Sequence, residues 1–248
     1  MEPIWNSTET RDLVMALYGK QQWFHLAAPS VRSFKDRADY VRYHYHEVND
    51  LLTEYIATNL GSRSVFHLHA DQEQYEEFSD MMMRIRAHVT ACIQSLHAMP
   101  DICAHMLHYS LALDRQPDAP KPRGITATSV HRLMGRHPEL VMLCKLFSDL
   151  FSGPGFACLD ALSNTAKHRS IVRPSLTEDL TGKKPERFTL PFESFTYEGL
   201  SFSSMDVREF LRDEHDRMQQ LMVDIGVELN SVLKRRSAAN APTPAGSP

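Results

Sequence analysis

The chain has 248 residues, of which 42% are hydrophobic and 23% are charged, as in globular proteins that bury a core. Its net charge of −4 argues against a surface that coats nucleic acid over its whole area. No apolar run reaches the roughly 18–20 residues that cross a bilayer, and the N-terminal region lacks the apolar segment of a secretory signal. We therefore expect a cytoplasmic protein with no membrane partner.

Apolar residues spaced three and four apart predict amphipathic helices along most of the chain. The first is expected to end at the Ala-Pro-Ser turn at 28–30, and Ser33 is the predicted N-cap of the second. Pro100 either kinks the third helix or begins a new one. The predicted helices cover residues 7–26, 33–60, 71–99, 100–113, 137–151, 156–169 and 203–236.

A different pattern, with apolar residues at every second position, occupies the stretch before the last helix. Residues 188–192 and 195–197, with Glu198-Gly199 nearby, predict a small antiparallel β pair. We therefore predict an all-α fold, an antiparallel helical bundle with a small β-hairpin insertion before the last long helix. The expected organisation is an N-terminal helical segment at 1–30, a bundle at 31–236 with the hairpin at about 186–202, and a disordered tail at 237–248.

The first candidate site lies at the end of the helix predicted over 156–169. Asn164 and His168 are one turn apart on one face, with Lys167 and Arg169 beside them. An imidazole, a carboxamide and two cations are the groups that RNA backbone cleavage needs, to deprotonate a 2′-hydroxyl next to a phosphate. The residues leave open the alternative that a basic helix end merely complements the helix dipole.

A polar stripe on the third helix is the second candidate. Its members fall on one side of the helix if the helix continues through Pro100: Gln94, His97, Asp101, His105 and His108. A histidine and an aspartate four residues apart can hydrogen-bond or share a metal ion, or the stripe simply faces water. The four cysteines show no C-x-x-C spacing, and the chain has no phosphate-binding glycine loop. We therefore assign no cofactor and no metal.

Two segments carry a resemblance to a known superfamily. The segments LDALSNTAKHRSIV at 159–172 and IQSLHAMPDICAHM at 93–106 resemble bacterial helical proteins of the HEPN superfamily, in particular a clostridial-type group. The resemblance covers roughly residues 35–235. It implies a helical bundle, often dimeric. Many members are metal-independent RNases of toxin–antitoxin, CRISPR or phage-defence systems, and others are inactive binding or dimerisation modules.

The signature of the superfamily is an arginine, commonly followed by asparagine, then three to five residues and a histidine. Asn164 and His168 match it, but Ser163 stands where the arginine belongs. The resemblance implies that His168 acts as base, that Asn164 orients it and that Lys167 or Arg169 holds the phosphate. The supporting residues His97 and Asp101 are expected to reach the same cleft.

Three functions follow as hypotheses. The first is a HEPN-like, metal-independent RNase of a bacterial defence or stress system, which binds RNA and forms a homodimer. The second is a non-catalytic helical module that dimerises or binds a protein partner, and the missing arginine favours it. The third is a metal-binding bundle that uses the stripe from His97 to His108.

Overall fold

A computed structural model describes residues 4–61 and 63–240 of the chain. Helices dominate, and a few short antiparallel strands precede the last helix, so the predicted all-α fold with a small β insertion is confirmed. The described residues form seven α-helices: α1 (Ser7–Tyr18), α2 (Ala28–Tyr55), α3 (Gln72–Ser110), α4 (Ala127–Met134), α5 (Val141–Leu150), α6 (Gly153–His168) and α7 (Val207–Ala239).

The chain divides into two compact units. Unit 1 consists of Met1–Asp36, Ala98–Gly153 and Arg217–Pro248, and unit 2 consists of Arg37–His97 and Pro154–Asp216. Helices α1, α4 and α5 belong to unit 1, whereas the strands and all but the first residue of α6 belong to unit 2. The long helices α2, α3 and α7 contribute residues to both units.

The N-terminal segment of unit 1 is held against α7 by an indole ring and a short chain of hydrogen bonds. Trp5 packs on Gly226, where an added Cβ would lie only 2.1 Å from the indole ring. The indole Nε1 donates to the buried Thr10 hydroxyl at 2.9 Å, and this hydroxyl donates to Oδ1 of Asn230 at 2.6 Å. The glycine is required here because only a residue without a side chain lets the ring approach the helix backbone.

The start of α2 differs from the sequence prediction. The expected turn at 28–30 is wrong, because α2 begins at Ala28 directly after a π-helical segment, Gln22–Ala27. Pro29 follows this π-helical segment within one continuous helical run, where the proline lacks the N–H that would bond to the preceding turn. Ser33 therefore lies inside the helix and does not cap one.

Unit 1 also contains a helix for which the sequence analysis gives no element. Helix α4 begins with a capping box, in which the side chains of Thr126 and Ser129 accept hydrogen bonds from each other's backbone N–H groups. The carboxylate of Asp101 accepts a hydrogen bond from the N–H of Ala127, the first residue of α4, at 2.8 Å. Asp101 is thus a helix-capping residue.

Of the two alternatives at Pro100, the structure shows a helix that continues through the proline, and α7 ends later than expected. Helix α3 continues through Pro100 to Ser110, so no new helix begins at the proline. Helix α7 ends at Ala239, three residues beyond the predicted end. Most of the predicted disordered tail, residues 241–248, lies outside the described residues.

The β insertion of unit 2 is made of three two-stranded antiparallel ladders. The first joins β1 (Thr177–Glu178) to β2 (Phe188–Thr189), the second β3 (Pro191–Phe192) to β6 (Met205–Asp206), and the third β4 (Phe195–Tyr197) to β5 (Leu200–Phe202). Glu198 and Gly199 form the turn between β4 and β5, both with positive φ. Residues 188–192 therefore pair with strands on either side of the predicted hairpin and not with 195–197.

An arginine fixes this insertion to the segment after α2. The Arg187 guanidinium donates to the carbonyl oxygens of Gly61 and Arg63 at 3.0 and 2.8 Å and to the Glu178 carboxylate at 2.6 Å. Glu178 also accepts hydrogen bonds from the Ser64 hydroxyl and the Val65 N–H. These bonds position the short strands, which are too short to be stable alone.

No single helix in the described part of the chain combines the length and apolarity needed to span a membrane. The neighbouring segments Pro138–Leu150 and Gly153–His168 meet the length and composition test only when taken together, with a bend between them.

The contact between Trp5 and Gly226 can be tested by one substitution. Gly226→Ala should lower the free energy of unfolding by about 1–2 kcal/mol, because displacement of the indole outweighs the better helix propensity of alanine. Tryptophan emission should shift to longer wavelength as the ring enters water. Gly124→Ala is the matched control, because its Cβ would meet its nearest atom at an ordinary 3.8 Å. Equal stability of the two variants would contradict the packing described here.

Candidate functional site

The candidate site lies on the part of α6 that is not buried. Buried residues occupy most of the helix circumference, and they are Cys158, Leu159, Ala161, Leu162, Ser163 and Thr165. The remaining sector carries Asp160, Asn164, Lys167 and His168, spaced three and four residues apart, which we call the α6 stripe. The predicted site residues of this helix therefore face one side.

The centre of the stripe is a carboxylate that serves two partners. Oδ1 of Asp160 accepts a hydrogen bond from the Asn164 side-chain amide at 2.9 Å and lies 2.9 Å from Nε2 of His97 on α3. A carboxylate only accepts, so Nε2 of His97 carries the proton, and in the neutral ring Nδ1 is then an acceptor. The ring of His97 also stacks on Phe156, with an interplanar angle of 5°. Both contacts restrict the orientation of the imidazole.

A tyrosine and an arginine lie close to this carboxylate. The guanidinium of Arg169 is 5.7 Å from the centre of the Tyr197 ring on β4. Burial raises the pKa of the Tyr197 phenol, and so do the negative charges of Glu198 and Asp160, while Arg169 acts in the opposite direction. The phenol therefore lies within electrostatic range of both Asp160 and Arg169. We call His97, Asp160, Asn164, Arg169 and Tyr197 the α6 cluster, and all five belong to unit 2.

The predicted site residues fall into three groups. Asn164, His97 and Arg169 belong to the α6 cluster, and the link between Asn164 and His97 is Asp160. Lys167 and His168 are exposed, and neither has a hydrogen bond, ion pair or ring contact with any residue in 4–61 or 63–240. Asp101 belongs to unit 1 and caps α4.

The position of Ser163 explains why the signature arginine has no counterpart in this site. Ser163 is fully buried, and its hydroxyl has no hydrogen-bond partner among the described residues. It lines a narrow cleft with apolar residues of α3 and α6, among them Val89, Ile93 and Leu162. A guanidinium at this position would enter the apolar interior and would not reach the stripe.

The polar stripe predicted on α3 does not form one site. His97 pairs with Asp160, Asp101 caps α4, and His108 is buried, with Nδ1 lacking a hydrogen-bond partner among the described residues. Burial lowers the pKa of both His105 and His108. Within residues 4–61 and 63–240, no three histidine, cysteine or acidic side chains are placed to hold a metal ion. The stripe therefore does not provide the metal site of the third hypothesis.

Asp160 and Tyr197 are the two cluster residues that the sequence analysis does not identify. Asp160 stands four residues before Asn164, so the helical spacing contained a signal for it. Tyr197 carries no such signal, because it meets α6 only through the fold of the β insertion.

No protein-family model, no curated protein and no solved structure matches this chain. The fold and the cluster define a helical protein with a carboxylate-linked imidazole on one surface of unit 2.

The burial of Ser163 predicts the result of placing an arginine at this position. Ser163→Arg should lower the free energy of unfolding by about 3 kcal/mol or more, because an unpaired charge enters an apolar site. Ala157→Arg is the matched control on the exposed side of the same helix and should change stability by no more than about 0.5 kcal/mol. Chemical denaturation followed by circular dichroism measures both. A Ser163→Arg variant as stable as the control would contradict the assigned orientation of α6.

The buried histidine of unit 1 predicts a pH dependence of stability. Burial and the neighbouring His105 lower the pKa of His108 below its ordinary value of 6.5, although Asp114 acts in the opposite direction. The unfolded chain then binds more protons than the folded chain, so stability is retained above about pH 6.5 and is lost as the pH falls. His108→Phe should flatten the loss of stability between about pH 7 and pH 5, and the exposed His46→Ala should not. An unchanged slope in His108→Phe would contradict the assignment.

Proposed function

We propose that this chain is a HEPN-like helical protein that binds RNA along the α6 stripe and cleaves the RNA backbone without a metal ion. The observation that carries the proposal is the carboxylate of Asp160, which joins the imidazole of His97 to the amide of Asn164. A carboxylate that fixes the tautomer of a histidine is the arrangement by which proteins orient an imidazole as a general base.

In the proposed reaction, Nδ1 of His97 accepts the proton of a 2′-hydroxyl group. The 2′-oxygen attacks the adjacent phosphorus, and the bond from phosphorus to the 5′-oxygen breaks. The 5′-oxygen takes a proton from Tyr197, whose raised pKa keeps the phenol protonated at neutral pH. The products are a 2′,3′-cyclic phosphate and a 5′-hydroxyl end, so no water and no metal enter this step.

Arg169 is the residue that we assign to the non-bridging phosphate oxygens. Its planar guanidinium supplies paired donors that match a phosphate, and this group replaces the one that the buried Ser163 cannot provide. The exposed residues Lys167 and Arg173 extend the positive charge beyond the cluster. They would contact phosphates of neighbouring nucleotides, and binding would weaken as salt is added.

The role of base therefore moves from His168, where the signature predicts it, to His97. His168 has no partner among the described residues that would fix its ring or its tautomer. In His97, the hydrogen bond to Asp160 fixes the tautomer, and stacking on Phe156 restricts the orientation of the ring. The proposed biological setting is the bacterial cytoplasm, in defence or stress, and the proposed assembly is a homodimer.

A second candidate is a non-catalytic helical module that binds RNA or a protein partner. The burial of Ser163 favours it, because this position cannot contribute a phosphate-binding group to the face that carries His168. In this case the α6 stripe binds RNA or a protein and no reaction follows.

The deciding experiment incubates the untagged protein with RNA in excess chelator. His97→Gln and Asp160→Ala should slow cleavage by at least about 100-fold, the usual contribution of a general base. His168→Ala should weaken RNA binding only a few-fold and should cost less than about 1 kcal/mol of stability. His46→Ala, far along the sequence on α2, is the matched histidine control and should have wild-type activity.

A modified substrate and the chemistry of the product ends test the proposed reaction further. An RNA with a single 2′-deoxy nucleotide should resist cleavage at that position, and 5′-hydroxyl ends should form elsewhere. Cleavage that persists in His97→Gln would contradict the assigned base. Salt-sensitive RNA binding without cleavage in the wild type would support the second candidate, and no binding to RNA would contradict both RNA-based roles. Sedimentation measures the proposed dimer in the same samples.

A further inference from the structure

A second pair of histidines lies in unit 2, outside the α6 cluster. His44 on α2 and His88 on α3 share a hydrogen bond, with their Nδ1 atoms 2.9 Å apart and their ring centres 5.1 Å apart. Both side chains are partly exposed, so small solutes can reach them. Neither residue has a role in the proposed reaction.

The distance between the two nitrogens matches a pair of adjacent metal ligands. Histidine nitrogens bind first-row metals at about 2.0–2.1 Å. Two ligands at a right angle are then about 2.8–3.0 Å apart, and two at a tetrahedral angle about 3.3–3.4 Å apart. The 2.9 Å separation therefore fits the right angle of a tetragonal site. Cu²⁺ and Ni²⁺ prefer this geometry.

The surroundings of the pair favour a bound cation. Glu47 lies three residues after His44 on α2 and supplies a negative charge one helical turn away. The ring of Tyr43 packs edge-on against both imidazoles, at 5.1 and 6.2 Å, and limits their rotation.

We propose that His44 and His88 bind one tetragonal divalent transition-metal ion, Cu²⁺ or Ni²⁺, through their two Nδ1 atoms. The Nδ1 proton of the hydrogen bond moves to Nε2 of its own ring, so that both Nδ1 atoms hold the ion. Water completes the coordination, and Glu47 offsets the charge. The site differs from the stripe of α3, because its ligands come from two helices. A bound ion joins α2 to α3 within unit 2 and stabilises that unit.

The test uses Cu²⁺ alone as the probe and the full chain without a histidine tag. Titration calorimetry should give one tight site per chain, and the electron paramagnetic resonance spectrum should be tetragonal with coupling to two nitrogens. His44→Gln and His88→Gln should each weaken binding at least tenfold. His46→Gln is the matched control, because its exposed ring lies two residues along the same helix and points elsewhere. Circular dichroism verifies that each variant is folded.

A second measurement needs no substitution. Cu²⁺ added below one equivalent should broaden the imidazole resonances of His44 and His88 before those of other histidines. At a Cu²⁺ concentration about a hundredfold above Kd, the melting temperature should rise by about 5–10 °C. Unchanged affinity in both glutamine variants, or broadening spread over other histidines, would overturn the proposal.

Discussion

One carboxylate oxygen, Oδ1 of Asp160, connects the two helices on which the candidate chemistry depends. It accepts a hydrogen bond from His97 on α3 and another from Asn164 on α6, so neither side chain is free to adopt an arbitrary orientation. The carboxylate can do this because the buried residues of α6 hold the helix in one rotation about its axis. The packing of apolar residues thus decides which polar residues meet.

Two contacts in unit 2, that of His97 with Asp160 and that of His44 with His88, show how a neighbour determines the chemistry of an imidazole. His97 faces a carboxylate, which accepts the Nε2–H of the ring and fixes its tautomer. His44 faces another imidazole, where a second proton would place two positive charges in contact. The first arrangement suits proton transfer, and the second suits a cation that replaces the shared proton. Helix α3 carries one member of each pair.

The sequence predicts those features that depend on local spacing. The long helices, the end at Gly61 of the helical run that follows α2, and the turn at Glu198-Gly199 follow from the apolar pattern and from residues that accept positive φ. The start of α2 is predicted wrongly because proline is expected to break a helix, whereas a π-helical segment here carries the helical backbone up to Ala28. The partners of β2 lie 10 and 12 residues away in register, at Thr177–Glu178, and those of β3 lie 13 and 15 residues away, at Met205–Asp206. No local pattern encodes such pairings.

The residues of the candidate site likewise divide into those that the sequence predicts and those that only the fold brings together. Asn164 and His97 are recognised from their residue types and from the resemblance, whereas the residue that joins them, Asp160, becomes evident only when α3 and α6 are seen side by side. Ser163 shows the limit of motif matching. The sequence reveals that the arginine is missing, and the fold reveals that its position points into the interior. The capping role of Asp101 likewise depends on α4, a helix that the sequence analysis does not contain.

The two tryptophans of the chain, Trp5 and Trp23, both belong to unit 1. Tryptophan fluorescence therefore observes only the unit that lacks the α6 cluster and the histidine pair. Far-ultraviolet circular dichroism observes the helices of both units. A tryptophan introduced at Phe156 would keep an aromatic ring against His97 and would add a tryptophan emission signal from unit 2.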